Sequence, residues 1–432
     1  MSTGRLVLRG ARYPGDVAIE AGQIAAIGDV APRDGDRELR CDGDIITAGL
    51  LNTHHHLYQW MTRGRAVGCD LFGWLQELYP VWNRLEVADV EAAATVGLAE
   101  LARSGATTVF DHHYVVPRGD DSVFDAIVRA AGVVGVRLHV SRGSMDLGES
   151  DGGLPPDDIV ERVDDILGST ERVASRLHDG DRVSVVVAPC SPFSTSEELM
   201  RRSAELAREL GLRLHTHLAE TIDEERDCLT RFSCRPLEYV ERLGWMGPDV
   251  WFAHGVHLDG DETRRIGAAG SGIAHCPSSN GRLGSGLCPV QQLRAAGAPV
   301  GLGVDGPASN EPGVLQPEMR QALYFARLRA GHADAMSPEE ALDLATAGGA
   351  ACLGRPELGR LEVGCPADLA VWPADDLADI AEPIAALVLG PDRRVRHLFV
   401  AGERVVADGD LARLDLAEAR AGLATRARRL WS

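Results

Sequence analysis

Eight short apolar runs, each stopping abruptly at polar residues, recur between residues 45 and 305 and constrain the fold more than any other feature. Ile45–Leu51 runs into Asn-Thr-His54-His55-His56, Ala106–Phe110 into Asp111-His-His, and Val136–Val140 into Ser-Arg142. Val183–Ala188 ends in Pro-Cys190, and Leu212–Leu214 leads through His215 and His217 to Glu220. Val250–Ala253 stops at His254, Gly272–Ala274 at His275, and Val300–Val304 at Asp305. Stretches of 3.6-residue periodicity, such as Val90–Ser104, Ser194–Leu210 and Pro289–Ala296, lie between them. Strand–helix alternation repeated eight times predicts a (β/α)8 TIM barrel, which carries its reactive side chains at the C-terminal strand ends. The polar run-ends are therefore the candidate site.

The flanks follow another pattern. Leu6–Leu8, Val17–Glu20 and Ile24–Ile27 read as short strands separated by glycine turns, and Ala367–Trp372, His397–Val400 and Arg404–Val406 repeat the style near the C-terminus. Both ends together predict one small composite β-sandwich domain, residues 1–48 and 355–432, closed by an amphipathic helix at Asp415–Trp431. The barrel then occupies 49–354.

Composition narrows the partners. A net charge of −20 argues against nucleic acid, whose binders need a basic footprint. No apolar run approaches the length of a membrane helix, and MSTGRLVLRG has no secretory pattern, so a soluble cytoplasmic protein is expected. Nine cysteines without a CxxC pair read as free thiols in a reducing compartment. All 44 basic residues are arginine. Without lysine, neither a Schiff base nor a carbamylated lysine bridging two metals can form, which leaves a one-metal site.

His54 and His56 alternate onto one side of a strand end and form a natural pair of metal ligands. His217 completes a three-nitrogen set, the arrangement of catalytic zinc with a position open to water. Asp305 can touch the metal and take a proton, and His254 is placed to hydrogen-bond the attacking oxygen. Glu220 is the expected proton shuttle. His55 and His215 are expected to pack or support rather than ligate.

With these residues in view, the chain resembles the amidohydrolase superfamily, in its mononuclear branch of aromatic deaminases and chlorohydrolases. NTHHH, HTHLAE, AHG, HCPSSN and GVDG carry the resemblance, which extends from Ile19-Glu-Ala-Gly-Gln-Ile24 to Pro366-Ala-Asp-Leu-Ala370. It implies that His54, His56, His217 and Asp305 bind one Zn2+ per chain (Fe2+ in some relatives), that Glu220, His254 and Asp305 are catalytic, and that the chain forms a homo-oligomer. Within that branch NTHHHLYQ, LYPVW, DHHY, RGSMDLGESDGGLPP, APCSPFS and HCPSSNGRLGSG are similar to 8-oxoguanine deaminases. This implies hydrolytic deamination of a small heteroaromatic substrate by water, with Gln59 on the guanidine-like edge, Arg142 and Cys190 toward the far carbonyl, and Trp74 and Tyr114 lining or stacking. Trp60, where a smaller residue is expected, and Glu311-Pro312 in the stretch 307–315 depart from that pattern beside the pocket. Guanine, isocytosine, a pterin or an amino-triazine are the alternative rings. Two rival readings are a triazine chlorohydrolase or aminohydrolase on the same site and a catalytically silent barrel serving in binding or assembly.

Overall fold

Gly49 marks the point where the chain crosses from one structural unit to another. In the computed structural model, which describes residues 4–431, the apolar run 45–51 is not one strand. Ile45–Ala48 pairs antiparallel with Leu369–Trp372 in a terminal sheet, and only Leu50–Asn52 enters the barrel. A Cβ at Gly49 would sit 2.2 Å from the Thr107 side chain, so only glycine lets the chain pass there. Residues 1–3 and 432, at the extremes of the expected terminal domain, lie outside the described range.

The barrel strands are β1 (Leu50–Asn52), β2 (Ala106–Asp111), β3 (Arg137–Ser144), β4 (Val183–Pro189), β5 (Arg213–Leu218), β6 (Val250–His254), β7 (Gly272–His275) and β8 (Val300–Leu302), adjacent in that order and parallel. The ring closes just above β1 and β8. There the Thr53 amide donates to the Leu302 carbonyl at 2.9 Å, and the Asp305 amide to the His54 carbonyl at 3.1 Å. Period-two alternation sorts the strand residues. Phe110, Val186, Ala188, Trp251 and Ala274 fill the barrel interior, while Leu138, Val140, Val185 and Val187 belong to the larger core shared with the helices.

Both chain ends build the β unit, as expected. Gln23–Gly28, Asp16–Glu20, Leu6–Arg9 and Arg37–Arg40 form one sheet; Asp410–Leu411, Glu403–Ala407, His397–Val400, Leu369–Trp372 and Ile45–Ala48 form the other. Leu8, Val17, Ile19 and Ile24 from the first share a core with Ile46, Leu369, Val371 and Phe399 from the second. The strands Arg37–Arg40 and Asp410–Leu411 are too polar to announce themselves by alternation.

Four helices bear on the barrel mouth and its support: α1 (Leu71–Trp82), α2 (Val87–Arg103), α3 (Pro277–Leu283) and α4 (Leu416–Trp431). α1 begins where the Asp70 side chain accepts the Gly73 amide at 3.0 Å. The closing helix α4 leaves the sheets and packs on α2, with Arg426 and Arg429 on buried Asp89 and Trp431 Nε1 donating to the Met61 carbonyl at 3.0 Å.

Candidate active site

His54 and His56 lie just beyond β1, held to β8 by a bridge between His55 and Asp305. Each imidazole is oriented by its second nitrogen. His56 Nδ1 meets the His112 carbonyl at 2.7 Å, and His217 Nδ1 the Cys190 carbonyl at 2.6 Å. A carbonyl only accepts, so both Nδ1 atoms carry the proton and both Nε2 atoms present lone pairs. The His215 ring lies one layer deeper. Its Nδ1 donates to the Trp251 carbonyl at 3.0 Å, so its Nε2 accepts from His54 Nδ1 at 2.9 Å. His54 Nε2 is thereby also left as a lone pair, buried and without a hydrogen-bond partner.

These acceptors converge. His56 Nε2 and His217 Nε2 are 3.1 Å apart, and Asp305 Oδ1 stands 3.4 Å from His54 Nε2 and 3.2 Å from His56 Nε2. Burial holds His54 down at about 3 and His217 well below its usual range, so both rings are neutral and able to ligate. Three imidazole nitrogens and a carboxylate oxygen thus crowd one buried spot, a donor set that suits a cation. Two buried groups here could hold a metal ion: His54, His56, His112 and His217, and His54, His254 and Asp305.

Strand–helix junctions aim Glu220 and His254. After β5, the Glu224 carboxylate accepts the amides of Ala219 and Glu220 at 2.9 and 2.8 Å, fixing a turn in which Ala219 has φ 51°. Glu220 is buried there, and burial together with the Asp305 carboxylate pushes its carboxyl well above the ordinary range. Its Oε2 lies 3.5 Å from His254 Nε2, while His254 Nδ1 donates to Asn280 Oδ1 at 2.9 Å. Ser279 donates to Asp305 Oδ2 at 2.5 Å, and the Gly306 amide to Oδ1 at 2.8 Å. His254 (φ 73°) and Asp305 (φ 58°) both adopt the left-handed region, strain that a rigid barrel mouth can hold for function.

A cavity of about 360 Å³, counted to its mouth, opens over this cluster. Gln59, Trp74, Tyr114 and Cys190 line it, beside His56, His217, Glu220, His254 and Asp305. Arg142 does not. Its guanidinium is turned into the helix layer, where it meets both oxygens of Glu161 (3.0 and 2.8 Å), Ser169 Oγ (2.9 Å) and the ring of Phe124. Trp60 is also outside the cavity: it is wedged between Gly97 and Gly313, where an added Cβ would fall 2.5 and 3.1 Å from the indole. Sequence reasoning missed the wall of α1 formed by Leu71, Leu75 and Tyr79, although LYPVW contains Tyr79. It also missed that the last two residues of HCPSSN, Ser279 and Asn280, hold Asp305 and His254.

Residues 45–405 match the model of the amidohydrolase family. The chain belongs to the amidohydrolase family. It is a metal-dependent hydrolase of the class that acts on C–N bonds of cyclic amidines, as expected from the sequence. It is 50% identical over 380 residues to an 8-oxoguanine deaminase of Pseudomonas aeruginosa, spanning 86% of this chain and 84% of that one. An isoxanthopterin deaminase from an unknown prokaryotic organism is 37% identical, over 94% of this chain and 90% of its own length. Among solved structures, the zinc complex of the atrazine chlorohydrolase TrzN from Arthrobacter aurescens superposes with a TM-score of 0.92 at 30% identity, covering 98% of this chain and all of that one (100%).

Proposed function

We propose that this enzyme deaminates a free heteroaromatic base, 8-oxoguanine or a close analogue such as guanine or isocytosine; with 8-oxoguanine the products are urate and ammonia. The observation that carries the reading is the buried Glu220 carboxyl 3.5 Å from His254, beside three imidazoles and a carboxylate that line one small cavity or lie just beneath it. Among the described residues no arginine lines that cavity. Its wall of Leu71, Trp74, Leu75, Tyr79 and Phe193 suits a planar ring system. The likeness to 8-oxoguanine deaminase at 50% identity supports the purine.

His54, His56, His217 and Asp305 would hold the metal, zinc in this reading and iron as the alternative. Bound there, it supplies a water acidified toward neutral pH. Glu220 donates its proton to the ring nitrogen beside the amino-bearing carbon, which makes that carbon electrophilic. His254, anchored by Asn280, orients the attacking water through Nε2. The Asp305 carboxylate takes one proton from that water and returns it to the departing amine, and the second water proton restores the Glu220 carboxyl as the ring carbonyl forms and ammonia leaves. Gln59 offers its amide to the substrate edge, and Trp74, Tyr114 and Cys190 bound the ring. All nine cysteines are unpaired, which fits a cytoplasmic setting. No helix among the described residues is long and apolar enough to cross a membrane.

The test is ammonia release across 8-oxoguanine, guanine, isocytosine, cytosine, pterins and hydroxy-triazines. Fastest turnover of 8-oxoguanine supports the assignment; activity confined to non-purines removes it. A second reading, hydrolysis of a substituted triazine, is favoured by the likeness to the chlorohydrolase structure. Release of chloride or alkylamine instead of ammonia would establish it.

A further inference from the structure

Arg282, at the last turn of α3, takes no part in the deamination chemistry yet ties together the segments that form the cavity mouth. Its side chain is 13% exposed. Nη2 donates to the Arg65 carbonyl at 3.1 Å and the Ala308 carbonyl at 3.4 Å, and Nη1 to the carbonyls of Ala66 and Val67, each at 3.4 Å. Nε and Nη2 meet Glu311 Oε1 at 3.3 and 3.1 Å. Glu311 is one of the residues by which the 307–315 stretch departs from the family pattern, and here it is the counter-charge of Arg282.

The two segments so joined have different duties. Residues 65–67, where Ala66 takes φ 49°, lead into α1 and its wall of Leu71, Trp74, Leu75 and Tyr79. The 305–311 turn carries Asp305 and Ser309. The Ala308 carbonyl is shared: it also accepts Trp74 Nε1 at 3.2 Å. Arg282 and Trp74 therefore fasten the α1 wall to the same point beside Asp305. Leu283, the neighbour of Arg282, lines the cavity itself. A planar guanidinium with five donors can serve this many acceptors at once, which a point charge cannot.

We propose that Arg282, held by Glu311, is a positioning residue that sets the width of the substrate cavity by clasping the 65–67 loop and α1 to the 305–311 turn. It thereby favours a bare base over the same base carrying a sugar. This rests on the free-base reading of the site.

The test uses the metal-loaded enzyme with Arg282→Gln, Glu311→Gln and Arg282→Lys. Amide hydrogen exchange across residues 63–79 should quicken by about tenfold in both glutamine variants, with the barrel strands unchanged. The KM for the base should rise by about tenfold with kcat within about threefold, and the ratio of kcat/KM for ribonucleoside over base should rise by about tenfold. Wild-type exchange at 63–79 in folded Arg282→Gln, or full restoration of it by Arg282→Lys, overturns the proposal. Where Arg282→Gln fails to fold, Glu311→Gln decides on the same readout. If the wild-type enzyme turns over no free base, the functional reading fails while hydrogen exchange still judges the clasp.

Discussion

The two ends of the cavity are built on opposite principles. At the metal end, His54, His56 and His217 each have their second nitrogen tied to a carbonyl or to His215, so tautomer and ring orientation are set before anything binds. At the substrate end, Gln59 Oε1 and the Tyr79 hydroxyl are buried with no hydrogen-bond partner. The chemistry is preorganised, whereas recognition keeps open valences that a ligand fills. A complementary ring edge that meets such atoms gains the hydrogen bonds they offer.

That contrast can be broken from either end, and the effects on catalysis should descend in order. Glu220→Gln keeps the shape but removes the transferable proton; kcat should fall by about a thousandfold or more, while metal content by elemental analysis stays that of the wild type. Unchanged turnover would show the proton assignment wrong. His215→Phe deprives His54 Nδ1 of its acceptor, so metal affinity measured by chelator competition should weaken by about 10- to 100-fold, with a smaller loss of kcat at saturating metal. Gln59→Leu should act on recognition alone, raising KM by about tenfold with kcat nearly constant. A fall in kcat as large as the rise in KM would move Gln59 from recognition into chemistry. Last, Glu161→Ala should leave KM untouched because Arg142 faces away from the cavity. Its stranded guanidinium should still lower stability by about 3 kcal/mol in a urea titration. A KM shift there would return Arg142 to the site.

The metal end was legible in the sequence because its information is local. HxH, HxHxxE and GVDG place histidines and carboxylates at strand ends, where His56, His217, Glu220 and Asp305 line one cavity. The substrate end depends on packing between distant segments, and there the reading thinned. Arg142 shows why. It shares its parity with Leu138 and Val140, which face the helices, whereas Cys190 shares its parity with Val186 and Ala188, which face the interior. Counting alternation from the core residues, rather than from the strand end, separates the two. The break at Gly49 was hidden for a different reason: Ile45–Leu51 is uniformly apolar, so periodicity carries no mark of where one sheet hands the chain to another. The α1 wall was hidden too, because an apolar helix face reads alike whether it meets core or cavity.

The hand-over at Gly49 couples two parts of the enzyme mechanically. His54 lies five residues beyond it, on a segment whose near end is stitched into the sheet built by the two termini. That sheet acts as a holdfast for the first ligand pair. Loss of that pairing would loosen the segment that carries His54 and His56.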